Sequence, residues 1–392
     1  MTAYSLLFKG VMGLCLMLFV FTVCPPLSNA QEVSLDETAT MKARVVEVLE
    51  EGIQTIPGTD TESAFQTIRV KILDGTQEGD IVIVENDYLN LQEGDTFYLR
   101  HTVSIYDGRD YYSVSEPYRL PALFVFLLLF LVVVFVFGGI QGLRGLASLA
   151  GSLILIFYVL LPAILAGYSP IIISVIVASL IVTVGSYITH GFTKTTSTAV
   201  LGMVLTVIVT GILAYISVHT SHLTGFSAEE TVALNFNTRG SIDFVGLLMG
   251  SILIGLLGVM YDAAIGQAVS VEELHRLAPH VSRRTIYTRA LRIGREHIGA
   301  LINTLAIAYV GASLPLLLLF ATTDADILMI FNQEVIAAEI IRTIVGSVGV
   351  ILVVPVTTFV ATYFLVRPTA VPVSETILAA EKAHLADHSH HH

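Results

Sequence analysis

The chain has 392 residues, 54% of them hydrophobic and only 13% charged, with 32 Asp plus Glu against 20 Lys plus Arg and a formal net charge of −12. That balance excludes an ordinary soluble domain and predicts a multipass membrane protein, because so few charges cannot clothe the surface of a soluble fold.

The first apolar run, residues 10 to 23, follows Lys9 and ends at Pro25-Pro26. Ser28-Asn29-Ala30 then supplies the small residues of a signal-peptidase site. Residues 1–30 read as a cleaved signal peptide, with an uncleaved anchor as the alternative. Both cysteines, Cys15 and Cys24, lie in this segment, so its removal leaves no thiol for disulfides, metal sites or nucleophilic chemistry.

Residues 31–118 form the expected extracytoplasmic domain. Apolar side chains alternate there in Ala43-Val45-Val46-Val48, Ile68-Val70-Ile72, Ile81 to Val84, Phe97-Leu99 and Tyr111-Tyr112-Val114. Five short strands predict a small all-β barrel or sandwich of OB-like kind. Gln77-Glu78-Gly79-Asp80 recurs as Gln92-Glu93-Gly94-Asp95, each before a strand, as expected of turns with glycine at positive φ. This segment holds 18 Asp plus Glu and 6 Lys plus Arg; the remainder holds 14 of each, so the whole net charge belongs to the β-domain. Such a field can concentrate cations, although the solubility of an exported domain explains it equally well.

Residues 119–366 are expected to form an α-helical polytopic bundle. Runs of about 20 apolar residues, enough to cross roughly 30 Å of hydrocarbon, predict seven spans: 121–139, 146–166, 170–189, 197–217, 244–262, 298–320 and 343–365. With residue 31 outside, ten cationic side chains fall inside (Arg144, Lys194, six arginines from 276 to 295, Arg367 and Lys382) and two, Arg239 and Arg342, outside. That bias places the C-terminus in the cytoplasm. The tail, residues 367–392, ends in His388-Ser-His390-His391-His392, either a tag-like end or a native His-rich one.

His219 and His222, near Glu229 and Glu230, offer two imidazoles but no fixed third ligand, so a solvated loop is the simpler reading. In the fifth span Ser251, Gly255, Gly258, Asp262 and Gly266 share one helical face, and small residues there allow another helix to approach. Asp262 then either sits at the boundary or meets a partner, for which Arg295 and Glu296 are at the right depth. Asn303, two turns beyond Glu296, extends that polar line. Arg276 to Arg295, with Ile286, Ala290 and Ile293 at helical spacing, predict an amphipathic cytoplasmic helix over 272–295 lying on the anionic leaflet. The last span carries the outer pair Glu339 and Arg342 one turn apart. It continues through the close-packing Gly346 to Pro355, where a kink is expected and Thr357 or Thr358 could satisfy freed carbonyls.

These residues carry a resemblance. Gly258-Val-Met260-Tyr-Asp262, Gly294-Arg295-Glu296-His297-Ile298-Gly299 followed by Asn303-Thr304-Leu305, and Glu339-Ile-Ile-Arg342 with Gly346 and Pro355 resemble the bacterial YibE/F family of polytopic membrane proteins, over roughly residues 40–365. The resemblance implies a helical bundle with an exported β-domain in a bacterial plasma membrane, and brings no established substrate. Family members more usually carry Asp where this chain has Glu296.

Two functions are expected. One is a secondary transporter or permease for a small ion or solute, with Asp262, Arg295, Glu296 and Asn303 as its polar site. The other is a non-transporting sensor or envelope assembly protein whose β-domain binds an extracytoplasmic partner. No phosphate-binding G-x-x-x-x-G-K-[ST] loop and no H-E-x-x-H motif is present, so neither an ATP-driven pump nor a zinc protease is expected. The expected partner is the lipid bilayer; no enzyme activity, cofactor, metal or nucleic acid is predicted.

Overall fold

A computed structural model describes residues 37–55, 62–87, 89–104, 108–323 and 326–367. The signal-peptide reading, the junction at Ala30-Gln31 and the tail beyond Arg367 lie outside the described residues. The chain divides into two compact units, with a boundary between Gly139 and Ile140.

The first unit holds five antiparallel strands, β1 (Glu37–Thr55), β2 (Glu62–Ile72), β3 (Ile81–Asn86), β4 (Thr96–Val103) and β5 (Asp110–Pro117), in the order β3-β2-β1-β4-β5. The sheet curls into a half-barrel in which β3 and β5 come near each other without being paired neighbours in the sheet. Alternation sets its core: Ala43 lies opposite Ile72 on one side and Phe97 on the other, and these join Val45, Ile68, Val70 and Leu99 in a buried cluster. Gly79 and Gly94, at φ 97° and 91°, close the two repeated turns, a conformation that favours glycine because it has no Cβ. Buried Gln66 accepts hydrogen bonds from Asn86 Nδ2 at 3.1 Å and Leu91 N at 2.9 Å, and donates to Leu91 O at 3.1 Å. That network ties the segment after β3 to the sheet and satisfies polar groups that burial would otherwise strand.

The helices are α1 (Leu120–Leu155), which continues through a π-helical turn (Ile156–Leu160) into α2 (Leu161–Leu165), then α3 (Pro170–His190), α4 (Lys194–Thr220), α5 (Glu229–Asn237), α6 (Phe244–Leu277), α7 (Arg283–Ala312), α8 (Leu314–Ala321), α9 (Ile327–Asn332) and α10 (Glu334–Leu365). Among the described residues, five helices are long and apolar enough to cross a bilayer, or six when the bent α7–α8 pair is taken as one span. Seven separate spans were expected. The difference arises because 121–139 and 146–166 fall in one helical run, Leu120–Leu165, interrupted at Gly139 (φ 53°, ψ −142°). The sixth expected span bends by 65° after Ala312, where Pro315 in the first turn of α8 cannot continue the preceding hydrogen-bond ladder.

The core of the helical unit lies among α3, α4, α6 and α10, where Met203, Leu253, Leu256, Met260 and Val353 are buried together. α7 packs on α6 and α10. Residues 272–295 do not form the separate surface helix expected of them. Their first part completes α6, and from Arg283 onward they are the first half of α7, whose Ile286, Ala290 and Gly294 turn into the bundle while Ile293 stays exposed. The 3.6-residue period is the same for a helix on a leaflet and a helix on a bundle, so periodicity alone does not separate the two.

Candidate functional site

Asp262 lies 18 residues into α6, about 27 Å along its axis at 1.5 Å per residue. It lines a cavity of about 290 Å³ between α6, α7 and α10, with Gln267, Ser270, Gly294, His297 and Ala300 among the other walls. Gln267 is 4% exposed, and its Oε1 accepts a hydrogen bond from Thr358 Oγ1 at 2.8 Å, which anchors the amide at the back of the cavity. Gly294 is required where it stands, because a Cβ there would collide with Gln267 Nε2 and lie 2.5 Å from Val354 Cγ1. On the neighbouring helix, His190 at the end of α3 interacts electrostatically with Asp262 and lies 6.0 Å, ring to ring, from Tyr261.

This arrangement differs from the expected one. Arg295, Glu296 and Asn303, exposed as Asp262 and His297 also are, line no part of the Asp262 cavity, and among the described residues no ion pair joins Asp262 to Arg295. The reason is angular: 100° per residue turns Gly294 and His297 toward α6 and carries 295 and 296 around to the outside. Residues to which the sequence assigns no role supply the polar walls instead. His297 stood inside the Gly294 to Gly299 motif; Gln267 could have been found as an uncharged amide five residues after Asp262 in an apolar helix; His190 has no signal beyond its position at a helix end.

Glu339 and Arg342 are brought together, with Glu339 Oε1 3.5 Å from Arg342 Nη2. The small-residue stripe behaves unevenly. A Cβ at Gly255 would lie 2.6 Å from Tyr309 Oη and one at Gly346 3.1 Å from Leu305 Cδ2, so both permit close approach. Gly258 and Gly266 have nothing within 4 Å, and the Ser251 hydroxyl donates to its own helix at Leu248 O. No neighbouring helix stands against either glycine. Tighter approaches occur at Gly202, where a Cβ would lie 2.8 Å from Thr357 Cα, and at Gly349, 2.8 Å from Thr210 Oγ1. Around Pro355, the single Thr358 hydroxyl proton is shared between Gln267 Oε1 and Val354 O, the latter at 2.6 Å, while Thr357 Oγ1 is buried without a hydrogen-bond partner.

His219 Nδ1 lies 2.9 Å from Tyr215 O in its own helix, and among the described residues no group of three His, Cys, Asp or Glu is placed to hold a metal ion. Cavity, polar walls and helix order together leave a bundle with one exposed carboxylate lining a pocket that opens at the α6–α7–α10 seam. Neither a curated protein nor a solved structure matches the chain. A sequence profile described as YibE/F-like protein matches residues 126–367, which takes in every helix of that seam and leaves the half-barrel outside the matched region; the chain belongs to the YibE/F-like family.

Proposed function

We propose that the protein is a multipass carrier of a small ion or solute in a bacterial plasma membrane, with Asp262 as the group that takes up and releases the cargo or a coupled proton. The observation that carries this reading is the cavity itself: a carboxylate, a buried amide and an imidazole line one open space beside a core built mainly of apolar side chains, whose buried polar groups are otherwise uncharged hydroxyls. Ionisable groups in apolar helices are costly unless they face water or a partner, and those retained there commonly mark ion or proton paths. Gln267 supplies fixed dipoles and His297 a titratable neighbour. This replaces the expected four-residue site by Asp262, Gln267 and His297.

In this reading the half-barrel is OB-like and extracytoplasmic, following a signal peptide, and the C-terminus is cytoplasmic. Dividing Leu120–Leu165 at Gly139 and taking α7 with α8 as one span restores seven crossings, as an exported N-terminus and an internal C-terminus require. The competing reading, a sensor or assembly protein, is favoured by one observation: three of the four polar residues expected at the site do not line the cavity.

The two separate in reconstituted vesicles. Proton and monovalent-cation flux is expected in the wild type and is expected to be abolished in Asp262→Asn at unchanged abundance, because that substitution keeps shape and removes the charge. Flux that persists in Asp262→Asn, or a folded wild type that conducts none of these ions, supports the sensor reading.

A further inference from the structure

A second polar cluster lies along the same seam, away from Asp262. α7 and α10 run antiparallel: Arg283 Nε donates to Val366 O at 2.8 Å near one end, and Leu305 meets Gly346 further along. One turn on from that contact, in opposite directions along the two chains, come Tyr309 and Arg342, and the two are electrostatically coupled, with Glu339 beside them. Tyr309 reaches across to α6, its hydroxyl against Gly255, whose missing side chain leaves the space it occupies.

Two groups in this cluster are left unmatched. Tyr309 Oη and Arg342 Nε are both buried without a hydrogen-bond partner. Glu339 meets only a terminal guanidinium nitrogen, at 3.5 Å, through an i,i+3 contact on the same helix. A guanidinium has five N–H donors and no acceptor, and leaving such groups unmatched away from water is expensive. The Arg342 and Glu339 side chains are 25% and 27% exposed, so the cluster is withdrawn from solvent yet can be reached.

We infer that Tyr309 and Arg342 form a binding site for a small anion, a carboxylate or an inorganic oxyanion, with Glu339 as a tethered competitor that the anion displaces. An oxyanion has lone pairs in several directions and can accept from Arg342 Nε and the Tyr309 hydroxyl together, whereas Glu339, held on the same turn as Arg342, engages only one nitrogen. The inference stands on these contacts and is independent of whether Asp262 carries cargo.

The test is thermal unfolding of the full-length protein in detergent, titrated with sodium acetate or sodium phosphate at constant ionic strength against a sodium chloride baseline. The midpoint is expected to rise saturably with at least one of the two; a response to acetate alone identifies a carboxylate site and one to phosphate alone a phosphate site. Arg342→Gln is expected to weaken the apparent affinity about tenfold or more and Tyr309→Phe about three- to tenfold, as loss of a charged and of a neutral donor implies. Glu339→Gln should act in the opposite direction and tighten binding. If Arg342→Gln fails to fold, Tyr309→Phe, which removes a single hydroxyl, and Glu339→Gln decide the matter. No saturable response in the wild type, an unchanged response in Tyr309→Phe, or weaker binding in Glu339→Gln overturns the inference.

Discussion

The two ends of the α6–α7–α10 seam carry the same kind of sequence and do opposite things. At Gly255 the absent side chain is filled by the Tyr309 hydroxyl, and the helices close on each other. About one and three turns along the same stripe, Gly258 and Gly266 face open space, and Gly266 joins Asp262 and Gln267 in the wall of the cavity. Small residues spaced three or four apart therefore mark a face, but what stands opposite decides whether that face is a joint or a wall.

The largest expected effect tests the joints. Gly202→Val forces two branch atoms toward the Thr357 backbone, which cannot swing aside as a side chain tip can, and should destabilise the bundle by about 3 kcal/mol. Denaturation of the purified protein in detergent would read this; an unchanged midpoint would mean that α4 and α10 do not meet at this point. Thr358→Val comes next. It leaves the buried Gln267 carbonyl oxygen without its donor, for an expected loss of about 1–2 kcal/mol, and pairing it with Gln267→Leu should recover part of that loss.

Within the stripe the contrast sharpens. Gly255→Ala should destabilise by about 1 kcal/mol and lose that penalty in a Tyr309→Phe background, because the methyl meets only the phenolic oxygen. Gly258→Ala and Gly266→Ala should be neutral or stabilising by up to about 1 kcal/mol, since alanine is the better helix former and nothing stands in its way. Equal effects at all three positions would erase the distinction between joint and wall. The smallest effects are expected at Arg295 and Glu296. Arg295→Gln combined with Asp262→Asn should be additive, and Glu296→Gln should leave abundance and flux unchanged, because neither side chain reaches the cavity.

The half-barrel was largely legible in the sequence, and the reason is the two-residue period. Once Ala43, Val45, Ile68, Val70, Phe97 and Leu99 are assigned to one face, the buried set follows, and the repeated Gln-Glu-Gly-Asp turns separate the strands. The helices were legible as apolar runs, but their breaks were not: Gly139 and Pro315 sit inside stretches whose hydropathy is uninterrupted. At the site, Asp262 stood out because a charge in an apolar helix always does. Its partners did not, since Arg295 and Glu296 compete with Gly294 and His297 within one turn, and a rotation of 100° to 200° decides which pair faces inward. Tyr309 is not legible in the sequence, because its place in the cluster comes from buried donors without acceptors, a property of the packed state that residue type does not announce.

The central claim is that water reaches the cavity beside Asp262, and cysteine accessibility measures it most directly. With Cys15 and Cys24 replaced by Ser, single cysteines at Gly266 and Ala300, both on the cavity wall, should react with a membrane-impermeant thiol reagent in intact membranes or proteoliposomes; one at Ala264, buried on the other side of α6, should not. Protection of the Gly266 and Ala300 positions to the level of Ala264 would show a dry seam and contradict the account.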